Sequence, residues 1–307
     1  MSEPFRVSGP MPLTQILDES LRWARRFWKP IALPLAPPLC LLAALVPFAN
    51  GQFFSAMPRQ GAPPDLGAFF GGFAVFFLAL LVFMVVIYLA YTAMTVAACH
   101  AVSGSPVSIR QAWLFALRLR TFGTLLLVGL GTTVGMWCCM LPGIYLWVLW
   151  SMTVPVMVLE SIVGTDAMRR SAELTRYNPG GQLKTDPRLR VFVMLFAGYL
   201  VGYGLSFAIQ LPVAIVQQIL MVRMMSRGQG TDPATMMPEL MAKMAWIQVP
   251  TQILGVLVQL LVHLYIAFSL ALMYLDLKHR REATDLEAGI AEITGLPPAI
   301  DPGSPSP

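Results

Sequence analysis

Glutamine and histidine side chains recur on one side of an apolar stretch near the C-terminus of this 307-residue chain. At about 100° per residue, four of them fall within about 60° of one another on a helix. They are Gln248, Gln252, Gln259 and His263. Gln210 and Gln217 lie on the preceding apolar stretch. One interpretation is a hydrated path for a solute. We favour the other, in which the glutamines hydrogen-bond neighbouring helices without any transport.

Sulfur-containing side chains form a second candidate site. Seven of the 19 methionines lie within a short stretch: Met221, Met224, Met225, Met236, Met237, Met241 and Met244. Another apolar stretch ends with Met136, Cys138, Cys139 and Met140. Thioethers and thiols are soft ligands that select Cu(I), so one hypothesis is a Cu(I)-handling protein. We favour an apolar segment in which methionine fills irregular gaps.

No group of residues in the sequence is typical of a catalytic centre. The three histidines are far apart, at His100, His263 and His279. No metalloprotease helix, nucleophile elbow or phosphate-binding glycine loop is present. The longest stretches between apolar segments are about thirty residues, too short for an independent catalytic domain. We therefore expect no enzyme activity, no cofactor and no metal, and the four cysteines do not form a disulfide framework.

The composition indicates an all-α, polytopic membrane protein. The chain is 56% hydrophobic and only 12% charged, whereas soluble domains carry about a quarter charged residues. Its net charge of +5 would suggest an anionic partner such as nucleic acid in a soluble protein. In a membrane protein, lysine and arginine at the ends of spans set the topology instead, so we expect no nucleic-acid partner.

Six transmembrane helices are predicted because each apolar stretch can cross a hydrocarbon core of roughly 30 Å. Their approximate ranges are 31–48, 68–98, 122–140, 144–163, 191–222 and 246–275. The first contains Pro34, Pro37, Pro38 and Pro47, so we expect it to be bent. The third and fourth are predicted to form a hairpin around Leu141-Pro142-Gly143. Small-residue motifs at Gly67/Gly71, Gly131/Gly135 and Gly198/Gly202 predict close helix packing.

Amphipathic helices are predicted before pairs of spans, lying on the cytoplasmic membrane surface. Residues 13–29 place apolar side chains on one face: Leu13, Ile16, Leu17, Leu21, Ala24, Phe27 and Trp28. The proposed anchors to an anionic lipid leaflet are Arg22, Arg25, Arg26, Arg169 and Arg170. Glu160 is expected to pair or cap near Asp166 and the arginines. Segments around Ser20, Ala112 and Ser171 align weakly, which suggests three units of one surface helix and two spans.

The distribution of basic residues predicts the orientation. Of the 21 lysines and arginines, 17 lie in the N-terminal arm, the 100–121 and 160–190 loops and the start of the tail. The other side holds only Arg59, Arg223, Arg227 and Lys243. The positive-inside rule then places both termini in the cytoplasm. Residues 1–12 are predicted to be disordered, the membrane domain to span 13–277, and the cytoplasmic tail to occupy 278–307, disordered after about residue 296.

Four segments resemble a known family. They are PLTQILDESLRWARRFWKP, LPGIYLWVLWSMTVPVMVLE, AMRRSAELTRYN and ALMYLDLKHRREATDLE. Together they resemble bacterial six-span proteins related to the membrane domain of glycerophosphoryl diester phosphodiesterases. Some members of that family carry a soluble phosphodiesterase barrel after this domain, and the sequence here holds no such barrel. The resemblance implies an integral protein of the bacterial inner membrane, and it carries over no catalytic residue.

These observations lead to a ranked expectation of function. We expect a non-enzymatic accessory or scaffold protein whose partners are membrane lipids and either another protein or a second copy of the chain. The alternative is a transporter or permease-like channel for a small or lipid-derived solute, using the polar residues of the fifth and sixth spans. Cu(I) handling is the third hypothesis.

Overall fold

The computed structural model describes the backbone of residues 11–55, 66–177, 186–227 and 233–294. Within these helices, side chains are not described over most of 47–55, 221–247 and 284–294, nor at Gln217. The described part is all-helical and contains no strand. Its helices are α1 (Leu13–Ile31), α2 (Ala36–Ser55), α3 (Leu66–Val102), α4 (Ile109–Leu117), α5 (Leu119–Cys138), α6 (Met140–Trp150), α7 (Thr153–Leu159), α8 (Thr165–Arg176), α9 (Pro187–Arg227) and α10 (Pro233–Thr294).

Five segments in the described part are long and apolar enough to cross a membrane: Phe69–Val102, Leu119–Cys138, Met140–Leu159, Pro187–Leu220 and Gln248–Ala283. A sixth candidate exists only if α1 and the following Leu33–Val46 form one span bent by 47°. The bend lies at a short 3₁₀ turn, Leu33–Leu35, where Pro34 has no N–H to donate along a helix. The protein is therefore a multi-pass membrane protein with five or six candidate spans.

The hairpin between α5 and α6 does not turn where the sequence predicted. Cys139 alone is extended (φ −165°, ψ 128°), and Leu141-Pro142-Gly143 forms the first turn of α6. Proline is tolerated there because the first N–H groups of a helix have no intrahelical acceptor. The predicted fourth span is also broken between α6 and α7. Pro155 cannot donate to the carbonyl one turn earlier, and the helix restarts at Thr153.

Two of the three predicted glycine motifs pack helices closely. A Cβ added to Gly202 would lie 2.8 Å from Val262, and one added to Gly198 would lie 2.9 Å from Ile266. Helices α9 and α10 therefore pack closely along this side. On α5, a Cβ on Gly135 would lie 3.1 Å from the Cα of Gly143 on α6. Gly71 has no neighbour within 4 Å of such a Cβ. Close packing at Gly71 is therefore not seen among the described residues.

The buried core occupies one end of the bundle. On α3, large apolar side chains are exposed from Phe70 to Tyr88, and buried side chains follow from Leu89 to Val102. On α10, exposed leucines end at Leu261, and buried side chains continue to Leu277. Helices α1, α2, α3 and α9 all pack against α10. The long helices thus have one exposed apolar part and one part covered by their neighbours.

Helix α1, which the sequence predicted to lie on the membrane surface, packs part of its apolar face on α10. Trp23 and Ser20 are buried, and Trp23 lies 6.0 Å from Phe268 of α10, measured between ring centroids. Leu21 and Trp28, which the sequence placed on the apolar face turned to the membrane surface, are exposed. The apolar side of α1 is therefore wider than the surface that α10 covers.

The N-terminal boundary also differs from its prediction. Met11 is buried, its amide donates to Asp276 Oδ1 at 2.8 Å, and its carbonyl accepts from Arg190 Nη2 at 2.6 Å. Disorder through residue 12 was therefore wrong for Met11. Residues 1–10 and 295–307, where disorder was also predicted, lie outside the described residues. Helix α10 continues from the sixth predicted span to Thr294 without a break.

Candidate functional site

A cavity of about 570 Å³ lies between α3, α5, α7, α9 and α10. We call it the bundle cavity. Its wall is mainly apolar, with Leu126 and Leu130 of α5 and Ile266 of α10 among its residues. The polar side chains that line it are Tyr88, Tyr91, Thr92, Thr95, Thr133, Tyr199 and His263. Of the predicted polar-stripe residues whose side chains the structure describes, His263 is the one that lines this cavity.

His263 is held in place by two tyrosines and by its own helix. Its ring stacks on Tyr91 with a centroid separation of 3.4 Å and an interplanar angle of 6°. Tyr199 meets it edge-on, with centroids 5.7 Å apart. His263 Nδ1 lies 2.8 Å from the carbonyl oxygen of Gln259. Because a carbonyl can only accept, Nδ1 carries the proton, and Nε2 of the neutral ring is then an acceptor.

Some of the other polar groups of the cavity have a hydrogen-bond partner in the described part of the protein, and the rest, called uncommitted here, have none. The Tyr88 hydroxyl donates to the Leu125 carbonyl at 3.2 Å, and Thr92 and Thr95 donate to carbonyls of α3 itself. The hydroxyls of Tyr91 and Tyr199 and Nε2 of His263 make no hydrogen bond to any residue that the structure describes. The hydroxyl of the exposed Thr133 likewise bonds no described residue, so four polar groups without a protein partner belong to residues that line this apolar cavity.

Gln259 links two helices, as the favoured interpretation of the polar stripe expected. Its Nε2 donates to Ser206 Oγ on α9 at 2.8 Å. The rest of the stripe is not brought into the site: Gln252 and Gln210 are exposed and Gln248 is half-buried. The side chain of Gln217 lies outside the described residues. Sequence reasoning missed Ser206, although it lies one helical turn after Gly202 on the side of α9 that faces α10.

A charged cluster connects α8 to the ends of α7 and α10. Glu160 accepts a hydrogen bond from the Tyr274 hydroxyl at 2.6 Å and from Arg170 Nε at 3.0 Å. Burial alone would raise the pKa of Glu160, but the bonds from Tyr274 and Arg170 outweigh it and lower this pKa. The predicted pairing of Glu160 is confirmed, with Arg170 as the partner. Tyr274 was missed because nothing in its local sequence marks it.

The predicted lipid anchors are not equivalent. Arg25 and Arg26 are exposed, while Arg22 pairs with Glu19 at 2.9 Å and remains exposed. Arg169 is exposed and lies 3.5 Å from Glu173. Arg170 points into the protein toward Glu160, because the end of α7 places that carboxylate beside it. Arg170 is thus committed to an internal ion pair, unlike the other four.

A second buried ion pair was not predicted at all. Asp276 is fully buried and accepts hydrogen bonds from Arg190 Nη1 at 3.0 Å and from Arg280 Nε at 2.9 Å. With the amide of Met11, these contacts join the N-terminal arm to α9 and α10. Buried carboxylates need such partners, because an isolated buried charge is strongly unfavourable. Sequence reasoning had no signal for a contact between residues so far apart in the chain.

The Cu(I) hypothesis receives no test from the described residues. No group of three or more histidine, cysteine or acidic side chains that could hold a metal ion occurs among them. Cys138 and Cys139 are both exposed. The side chains of the methionine-rich segment lie outside the described residues.

Comparison with known proteins gives no match, either to a protein family, to a curated protein or to a solved structure. The resemblance to the phosphodiesterase membrane domain therefore stays a hypothesis.

Proposed function

We propose that this protein binds a lipid-derived amphiphile in the bundle cavity and hands it on unchanged, within the bacterial cytoplasmic membrane. The observation that carries the proposal is the cavity itself. Three of the uncommitted polar groups, on Tyr91, Tyr199 and His263, belong to residues that line a space of about 570 Å³ whose wall is mainly apolar. This develops the alternative derived from the sequence, a transporter or permease-like channel for a small or lipid-derived solute.

The lining favours an amphiphile over a small polar solute. Ligand sites typically enclose about 300–1,000 Å³ and combine apolar walls with a few placed polar groups. A sugar or an ion would leave many hydrogen bonds unmade against leucine and isoleucine, which is unfavourable. An acyl or isoprenoid chain instead fits the apolar wall, and its polar end can bond the tyrosine hydroxyls and His263 Nε2.

We propose binding without conversion. Nucleophilic catalysis uses a nucleophile and a base in contact, and glycoside hydrolysis uses a pair of carboxylates. The cavity residues described by the structure include no carboxylate and no cysteine. Among the described residues, neither the Tyr91 nor the Tyr199 hydroxyl is hydrogen-bonded to His263 Nε2, so no nucleophile–base pair is formed there.

We propose an orientation with both termini in the cytoplasm. The excess of lysine and arginine in the N-terminal arm, in the loops and in the tail supports it. The contacts of Met11 with Asp276 and of Glu160 with Tyr274 are compatible with these segments lying on one side. An accessory or scaffold role would then consist of presenting the bound amphiphile to a protein partner or to a second copy.

A photoactivatable lipid tests the proposal. The purified full chain is mixed with a diazirine-bearing diacylglycerol or phospholipid, irradiated, and the labelled peptides are identified. We expect labels on α3 and α5 next to the cavity. Gly129→Phe should fill the space and lower this labelling several-fold, because Gly129 lines the cavity. Gly204→Phe, where an added Cβ has no neighbour within 4 Å, is the matched control. Equal labelling of both variants would contradict the proposal.

A further inference from the structure

We propose that a groove between α1 and α10 is a binding site for one anionic phospholipid, with its phosphate at Arg25. The groove has a volume of about 370 Å³ and is separate from the bundle cavity. We call it the α1 groove. Its residues include Leu21, Arg25 and Trp28 of α1 and Leu261, Leu264 and Tyr265 of α10.

The floor of the α1 groove suits an acyl chain. Leu21 of α1 and Leu261 of α10 are both exposed, and buried Leu264 lies below them. Leu21 belongs to the part of the apolar face of α1 that α10 leaves uncovered. Exposed leucine on both walls is unfavourable in water, but it is expected where a hydrocarbon chain lies in the groove.

The groove lies where the exposed apolar part of the bundle ends. Leu261 is the last exposed leucine described on α10, and buried residues follow it. At the corresponding end of α3, exposed apolar side chains stop at Tyr88. Trp28 and Tyr265 border the groove, and tryptophan and tyrosine favour the level of lipid headgroups. We take the end of the exposed apolar part, and not the end of the longer apolar segment Gln248–Ala283, as the headgroup level, which places the groove where a phosphate meets its acyl chains.

Charge selects an anionic headgroup. Arg25 is exposed and has no carboxylate partner within the part of the chain that the structure describes. Neighbouring Arg22 is different, because Glu19 pairs with it at 2.9 Å. Asp18 lies two helical turns before Arg25, which is about 10 Å away along the helix. A guanidinium without a counter-ion beside an apolar groove is matched by a phosphate that carries acyl chains.

Native mass spectrometry of the delipidated full chain in detergent tests this site. The probes are phosphatidylglycerol and phosphatidylcholine with identical acyl chains. We expect tighter binding of phosphatidylglycerol, and Arg25→Gln should weaken it about fivefold. Arg22 lies one turn before Arg25 and is paired with Glu19. Arg22→Gln removes the same charge as Arg25→Gln, and it should leave the first phosphatidylglycerol bound as in the unaltered protein. Both arginines are exposed, so neither change should prevent folding.

Four results would overturn the inference. Equal affinity for the two lipids would remove the headgroup argument, and equal weakening by both variants would mean diffuse charge attraction. Competition by inorganic phosphate at the same concentration as the lipid would assign Arg25 to a free anion. A dimer that Arg25→Gln dissociates would assign the α1 groove to a second copy of the chain. Labelling of the bundle cavity is measured separately and does not depend on Arg25.

Discussion

At the scale of single residues, buried and exposed ion pairs in this protein differ sharply. Glu160 is held by Arg170 and Tyr274, and its side chain is 12% exposed. Glu173 lies near three arginines, Arg169, Arg170 and Arg281, but its side chain is 42% exposed. Water and salt screen the exposed Glu173, whereas removal of Glu160 takes away the short hydrogen bonds from Tyr274 and Arg170 and leaves Arg170 only its 3.8 Å contact with Glu173. The two glutamates therefore offer a matched comparison.

We predict that Glu160→Gln lowers the free energy of unfolding by about 2 kcal/mol, the size of a hydrogen bond to a charged group. Glu173→Gln should cost less than about 1 kcal/mol, as exposed pairs do. Unfolding of the purified protein in mixed micelles, followed by circular dichroism against denaturant, measures both. Equal losses in the two variants would contradict the assignment of Glu160 as the structural partner.

The same pair has a pH dependence of known sign. The pKa of Glu160 is lowered in the folded protein from an ordinary value of 4.5. The contribution of ionised Glu160 to the free energy of unfolding is therefore complete above pH 4.5. It is lost as the pH falls through the pKa of the folded protein. The stability difference between the unaltered protein and Glu160→Gln should be constant near neutral pH and shrink in acid. A difference that grows below pH 4.5 would contradict this linkage.

At the scale of helices, glycine sets how closely α9 and α10 approach. Gly202 and Gly198 face Val262 and Ile266, and next to this contact Gln259 bonds Ser206. A small residue at each of these places lets the two helices pack along their length. Gly204 is only two residues further but points elsewhere, because neighbours two apart lie about 200° apart on a helix.

Gly202→Leu should destabilise the bundle by about 1–3 kcal/mol, because even the Cβ would lie 2.8 Å from Val262. Gly204→Leu should be neutral or slightly stabilising, since leucine is the better helix former and the added Cβ meets no atom within 4 Å. Thermal unfolding in detergent compares the two. A larger loss for Gly204→Leu would mean that α9 presents a different face to α10.

At the scale of the whole molecule, the protein has an exposed apolar part and an end where charged and buried residues concentrate. Asp276, Arg190 and Met11 meet at that end, as do Glu160 and Tyr274. The basic residues of the arm, the loops and the tail predict that this end faces the cytoplasm. This predicted orientation depends on basic residues in many segments of the chain, so it is tested on the protein in cells.

We predict the labelling pattern of four single cysteines placed in a cysteine-free background. Cysteines replacing Gln60 and Gln229 should react with an impermeant thiol reagent in intact cells, or in spheroplasts where an outer membrane intervenes. Those replacing Gln182 and Ala288 should stay protected until lysis. This pattern follows from six spans with both termini inside. Labelling of Gln182 before lysis would exclude that topology.

The sequence alone determined the helical class, the positions of most candidate spans and the expectation that Glu160 pairs or caps near the arginines. These are local properties: apolar stretches long enough to span a bilayer need no tertiary information, and Glu160 lies ten residues from its partner Arg170. The sequence also gave Gln259 and His263 as polar residues on one side of a helix. The sequence could not show whether the four other glutamines of the stripe contact a neighbouring helix, because the pattern of one helix face does not reveal which helix covers it.

Tertiary structure decided the contacts between distant segments. The stacking of Tyr91 on His263, the burial of Asp276 against Arg190 and the docking of Met11 join residues that are 86 or more positions apart. The turn at Cys139 likewise depends on how closely α5 and α6 approach through Gly135 and Gly143. Helix formation is governed by neighbours within four residues, whereas a cavity exists only where several helices pack and leave space between them.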